Sequence, residues 1–258
     1  LIVTTTERPQ ESTVEKAVQL AAELQSVYVP RGNKTIRALR VLRNIDEVLI
    51  VGPADIRLVQ EGQHLFYYHP SMALVRLKRL RDGGNDTLLT VTGASPGNTI
   101  LDCTAGLCSD SLVFSYAVGR EGKVIALEAS RVVHAIVREG LLTYETGLAD
   151  IDAAMRAIQT ASGRYQERLP ELEDKSADIV YFDPMFEKPV TTSSSLIPLR
   201  SQAFREPLDE LSVRHAIRVA RKKVVLKDHR DSGQFERLGF SPARMSGSAV
   251  AYGVINIE

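Results

Sequence analysis

The sequence has no excess of either charge, almost no cysteine and no long apolar run. Lys+Arg and Asp+Glu both number 32, so the formal net charge is zero. A general electrostatic pull on nucleic acid is thereby excluded, and any nucleic-acid site must be a local patch. Cys103 and Cys108 are the only thiols. Neither lies in a Cys/His spacing that ligates zinc, so no metal is expected. Their position near a predicted strand end suggests reduced, packed thiols and a cytoplasmic setting. No stretch reaches the ~18 apolar residues that a membrane helix needs, so no membrane partner is expected. Leu1–Val3, followed by threonines and Glu7-Arg8-Pro9, lacks the basic-then-apolar order of a signal peptide, and the absent Met is expected to reflect trimming. Internal repeats and low-complexity tracts are also missing.

What is present is an ordinary globular composition, 44% hydrophobic and 25% charged over 258 residues. That suffices for one large α/β domain with a small appendage. Residues 1–68 read as a small N-terminal α/β unit. It has a β-prone Leu1–Thr5, a helix opened by a Ser12–Glu15 capping box, and a short strand at Val27–Val29. A helix near Thr35–Leu42, a strand Glu47–Val51 and a strand pair Ile56–Gln60 and His64–Tyr68 complete it. Residues 69–258 read as the second domain. Helices Met72–Arg81 and Thr87–Val91 lead into strand–helix alternation. The expected strands are Thr99–Asp102, Lys123–Glu128, Ala157–Thr160, Ala177–Asp183, Lys222–Lys227 and Val250–Ile257. The expected helices are Ser109–Val118, Arg131–Tyr144, Tyr165–Leu169 and Leu208–Ala220. This order predicts a mostly parallel, Rossmann-like sheet covered on both faces, with a late antiparallel strand near the edge. Ligands of such sheets sit at the carboxyl ends of the strands.

The loop Asp102-Cys103-Thr104-Ala105-Gly106-Leu107-Cys108-Ser109-Asp110 follows the first of these strands. A dinucleotide site would want G-x-G-x-x-G to admit a pyrophosphate, and only Gly106 is there. A nucleoside cofactor without phosphates, such as S-adenosylmethionine, needs less bare backbone. Asp102 and Asp110 are available for its cationic amino-acid end. Glu128, at the next strand end, can accept two ribose hydroxyls. Ser162 and Gly163, after the third, can border an adenine, although a plain loop is the equal alternative.

Asp183-Pro184-Met185-Phe186 ends the Ala177–Asp183 strand. An exocyclic amine has its lone pair delocalised into the ring. A site that methylates it must grip the N–H groups with acceptors and hold the base flat. Asp183 and the Pro184 carbonyl would supply acceptors, and Phe186 a stacking face. Asp102 to Leu107 with Ser109-Asp110, Leu127-Glu128, Tyr181 to Phe186 and Val224 to Lys227 together resemble the RsmJ-type methyltransferases, and more nearly their Gram-positive relatives. The resemblance spans roughly residues 65–258. It implies a class I methyltransferase fold, S-adenosylmethionine as cofactor, and guanine N2 of 16S ribosomal RNA, alone or in a small-subunit particle, as substrate. By matching position, it implies cofactor contacts at Ser109, Asp110, Glu128, Ala129, Ser162, Gly163 and Asp183. Ser109 stands where those enzymes usually carry Arg.

Arg76 and Arg79, on the helix after His69-Pro70, are candidate RNA contacts, with a solvated basic face as the alternative. Lys227, at a strand end, is a candidate contact for RNA backbone or substrate. Thr191–Ser195 is a candidate lid over the site. Rival functional readings are a small-molecule methyltransferase and a non-catalytic S-adenosylmethionine-binding protein. The oligomeric state is open, a homodimer being one option.

Overall fold

In the computed structural model, residues 1–62, 65–184, 207–243 and 249–258 are described. The first strand, Ile2–Thr5 (β1), is buried along its whole length. Its period of two sends successive side chains into two different layers. Val3 packs with Leu49 and Val51, whereas Ile2 packs with Val29, Leu39 and Val48. Val27–Tyr28 (β2) and Glu47–Val51 (β3) flank β1 in parallel, and Ile56–Gln60 (β4) and Phe66–Tyr67 (β5) extend the sheet antiparallel. Glu11–Glu23 (α1) lays Ala17, Leu20 and Ala21 on the Val3 face. Ile36–Arg43 (α2) lays Leu39 on the Ile2 face; Thr35 Oγ1 caps it by accepting the Ala38 N–H at 3.1 Å.

The capping box expected at Ser12 and Glu15 does not form. Gln10 is the N-cap, without a side-chain bond, and the helix starts at Glu11. There the acidic side chain meets the positive end of the helix dipole.

Ser71–Arg81 (α3) and Thr87–Thr92 (α4) lead into the large sheet. It is built from Thr99–Asp102 (β6), Ser109–Val118 (α5), Lys123–Glu128 (β7), Arg131–Thr143 (α6), Ala149–Ala157 (α7) and Gln159–Ser162 (β8). Tyr165–Arg168 (α8), Ala177–Phe182 (β9), Glu210–Val219 (α9) and Ala220–His229 (β10) follow. Gln234–Arg237 (α10), Ser241–Ala243 (β11) and Val250–Asn256 (β12) end the chain. Strand order is β11-β12-β10-β9-β6-β7-β8, parallel from β10 to β8. The expected late antiparallel strand is β12. It is inserted between β10 and β11.

Two local expectations are corrected. The strand placed at Ala157–Thr160 lies at Gln159–Ser162, because Ala157 closes α7 and Ile158 is its buried C-cap. Helix α7 itself was not anticipated, nor were α10 and β11.

The sheets divide the chain near residue 68, but the apolar core does not. One cluster runs from Val3 and Tyr68 through Ile100 and Ile136 to Val254. Helix α6 is the seam. Arg138 donates to both Glu23 oxygens at 2.7 and 2.9 Å, and Lys16 pairs with Glu139 at 2.6 Å. No helix among the described residues is long and apolar enough to cross a membrane.

Candidate active site

Chain order reverses between the neighbouring strands β6 and β9, which lead outward to β7 and to β10 respectively. In an open α/β sheet the crevice beyond that point is where ligands bind. Asp102, Glu128, Ser162 and Asp183 stand at or just past strand ends on that edge; Lys227, expected at a strand end, lies two residues inside β10, which runs to His229.

Asp102 closes β6 and is buried. Its Oδ1 accepts the Thr104 N–H at 3.1 Å and its Oδ2 the Ser111 hydroxyl at 2.5 Å. Burial pushes its carboxyl up to about 7. The loop then turns through left-handed backbone at Gly106 (φ 51°) and Cys108 (φ 56°). That turn aims the Gly106 N–H at Glu128 Oε2, at 3.0 Å, while the Ser130 N–H donates to Oε1 at 2.7 Å. Burial still raises the Glu128 pKa, against these backbone donors and that of Ala129. A carboxylate has about four acceptor positions. The backbone donors therefore orient Glu128 while leaving part of that capacity for a hydroxyl ligand. Gly163 donates to the Glu128 carbonyl at 3.0 Å and takes φ 146°. A Cβ there would stand 2.8 Å from Arg168 Nε, which flanks Ser162.

Asp183 is fixed through its own N–H, which donates to Thr104 Oγ1 at 2.6 Å. The parallel register pairs Leu226 with Phe182, so Lys227 falls beside Asp183. Lys227 Nζ lies 2.7 Å from Asp183 Oδ2 and 2.9 Å from Asp110 Oδ2. Asp110, in the first turn of α5, also accepts the Tyr181 hydroxyl at 2.7 Å and a bond from the Arg76 guanidinium. Arg76 in turn donates to Asp86 at 2.8 and 2.9 Å. A chain of alternating charge, Asp86–Arg76–Asp110–Lys227–Asp183, thus runs from the N-cap of α4 to the tip of β9. Burial opposes ionisation of Asp110, but Lys227 and Arg76 prevail and hold it well below the usual carboxylate range. Among the described residues, Lys227 is the cation that neighbours Asp183. Burial holds the Asp183 carboxyl up at about 6 against the pull of that lysine, with Asp110 adding to the rise.

Three of the expected site residues are placed differently from their expected use. Arg76 is turned inward to two carboxylates rather than presented on a solvated face. Lys227 is enclosed between Asp110 and Asp183, and Asp110 accepts from three protein donors. Arg79 remains exposed, 3.5 Å from Asp86. Asp102, Thr104, Gly106, Ser109, Asp110, Glu128, Ala129, Ser162, Gly163, Asp183 and Pro184 share the one sheet edge or the turns that follow it. Phe186 and Thr191–Ser195 lie outside the described residues. Sequence reading missed Tyr181, Asp86 and Ser111. Tyr181 is two residues before Asp183, on the same side of the pleat, and that period was the available signal. Among the described residues no cluster of three His, Cys, Asp or Glu could hold a metal.

Comparisons with known proteins bear on the family and the fold. A model of the family described as "Putative SAM-dependent methyltransferase" matches residues 39–238. The uncharacterized protein YpiP of Bacillus subtilis (strain 168) is 42% identical over 255 residues, covering 98% of each chain. Ribosomal RNA small subunit methyltransferase J of Marinobacter nauticus is 30% identical over 166 residues, 62% of this chain and 56% of that protein. The match to the ribosomal RNA enzyme therefore spans little more than half its length. Among solved structures, the SAM-dependent methyltransferase NGO1261 from Neisseria gonorrhoeae superposes with a TM-score of 0.67 at 21% identity, covering 99% and 96% of the two chains. That likeness is one of fold. The family match covers most of the chain, and an acidic crevice at the sheet's reversal point suits a sulfonium nucleoside, so this chain belongs to the SAM-dependent methyltransferase family and S-adenosylmethionine is its cofactor.

Proposed function

We propose that the chain methylates an exocyclic amine of a nucleobase, guanine N2 in small-subunit ribosomal RNA, in the cytoplasm. The observation that carries the reading is the tip of β9. There Asp183 is pinned by Thr104 and followed by Pro184, one strand from the Asp102 loop. In this reading Glu128 accepts the ribose hydroxyls, Ser162 and Gly163 border the adenine, and Asp102 faces the amino-acid end. Thr104, Gly106, Ser109 and Ala129 shape the walls, and Asp110 holds Lys227 and Tyr181 in place. S-adenosylmethionine, when bound, supplies the electrophilic methyl group. Asp183 and the Pro184 carbonyl accept the two N–H bonds of the target amine, which aims its lone pair into the crevice. The amine must lose a proton as it gains a methyl, and the ionised Asp183 carboxylate is the adjacent acceptor. Positioning would supply most of the acceleration. Phe186 keeps its expected role as the stacking face for a flipped base. Similarity to ribosomal RNA small subunit methyltransferase J, over 132 and 166 residues of this chain in two relatives, supports the choice of substrate.

The test uses ribosomal RNA from a strain lacking the gene, with labelled cofactor and mapping of the labelled atom. Asp183→Ala should lower methyl transfer about a hundredfold or more. Undiminished transfer by that variant would remove Asp183 from the mechanism. Label appearing only on small metabolites would favour the small-molecule reading. Cofactor binding without transfer to any acceptor would favour the non-catalytic one.

A further inference from the structure

The N-terminal unit carries a charge asymmetry that the crevice does not use. Between Glu23 and Asp46 the chain has five cations, Arg31, Lys34, Arg37, Arg40 and Arg43, and no carboxylate. They recur every third residue through the loop and α2. The whole chain is neutral, so the remainder is net acidic. Two of the five are partnered: Arg31 lies 3.2 Å from Glu7, and Arg40 lies 2.6 Å from Glu61. Lys34, Arg37 and Arg43 are exposed, with no carboxylate within salt-bridge distance among the described residues. Layering decides where this patch points. Helix α1 packs on the Val3 face of the small sheet and is bound through Glu23 and Lys16 to α6. Helix α2 packs on the opposite, Ile2 face. The basic helix is therefore the outer layer of the molecule, on the side of the small sheet away from the methyltransferase sheet.

We infer that Lys34, Arg37 and Arg43 on this outer face form an auxiliary site for the phosphate backbone of RNA, separate from the catalytic crevice. The inference rests on the RNA reading above and extends it. Unpaired surface cations with no carboxylate among them release counterions when they meet phosphates. That gives salt-dependent, sequence-independent affinity. An anionic lipid surface would need a broad free apolar face beside the charges. Here Leu39 is buried against the sheet, and only Val41 and Leu42 of α2 are exposed apolar residues. Through its N-terminal unit the enzyme would hold a stretch of RNA while the target base enters the crevice on the other layer.

The experiment compares the full chain with a Lys34→Gln/Arg37→Gln/Arg43→Gln variant. Each is titrated with 16S ribosomal RNA, and with an unrelated RNA duplex, across a salt series. The variant should bind both RNAs about tenfold more weakly at low salt. Its log–log salt slope should be shallower by about 2–3, one for each lost phosphate contact. Its thermal unfolding and its calorimetric binding of S-adenosylmethionine should be unchanged, and Lys34→Arg/Arg37→Lys/Arg43→Lys should retain affinity and slope. Equal slopes in the triple-Gln variant and the wild type, with the wild type binding RNA, would overturn the auxiliary site and leave the substrate reading standing. A wild type that binds neither RNA at any salt would overturn both. Loss of binding to phosphatidylserine vesicles with RNA affinity intact would assign the patch to a membrane surface instead.

Discussion

Burial leaves Asp102 with an unusual proton. A carboxyl raised to about 7 in the folded protein binds more protons than in the unfolded chain, where its value is about 3.9. Between those two values stability falls as pH rises. Urea unfolding followed from about pH 5 to 8 should show that decline, and Asp102→Asn should flatten it while weakening cofactor binding; a wild-type profile without the decline would refute the buried proton. Lys227 has the opposite role, because it separates two carboxylates. Lys227→Met should cost about 3–5 kcal/mol, the usual penalty for stripping a buried charge of its partner. It should also move the acidic limb of the activity profile upward from about 6, since Asp183 loses the cation that favours its ionised form. Lys227→Arg should restore most of the stability, and equal unfolding midpoints for the Met and Arg variants would count against an electrostatic role.

At the scale of elements, α6 shows what a single residue can decide. Gly140 lies in its interior, where glycine costs roughly 1 kcal/mol relative to alanine. A Cβ at that position would stand 2.2 Å from Tyr68 Cγ and 2.3 Å from its Cβ. The glycine admits the Tyr68 Cβ and ring root against the helix, which is how the residue that follows the small sheet reaches α6. Gly140→Ala should therefore destabilise by about 1–3 kcal/mol despite its better helix propensity, as overpacking does. Chemical denaturation would detect this, and a stabilised variant would show that the contact relaxes freely. Apolar runs bounded by turn residues were legible in the sequence: β3, β4, β6, α5 and β7 have the expected bounds. Helix α7 was not. Only Ile151, Ala154 and Met155 mark its buried face. Its start is secured by Asp152 reaching back to the Thr146 N–H and hydroxyl, at 2.8 and 2.6 Å, rather than by an N-cap side chain.

For the whole molecule, the core that crosses both sheets predicts that the two units unfold together. A fragment comprising residues 69–258 alone would expose the face of α6 and lose Val3, Leu49, Leu58 and Tyr68 from the shared cluster. It should be aggregation-prone or molten, and amides of β1 and β3 in the full chain should exchange with the same free energy as those of β6 and β9. A compact fragment with native-like exchange would show that the small unit is only an attachment. The alternation of apolar runs and the residues at strand ends followed from sequence, because local periodicity and turn chemistry are written in neighbouring residues. They sufficed to bring Asp102, Glu128 and Asp183 to one edge. The cationic partners of Asp110 and Asp183 were decided by tertiary structure alone. Arg76 is 34 residues from Asp110, and Lys227 is 44 from Asp183. Whether a cation faces water or a buried acid depends on which surfaces pack together, and no local pattern encodes that.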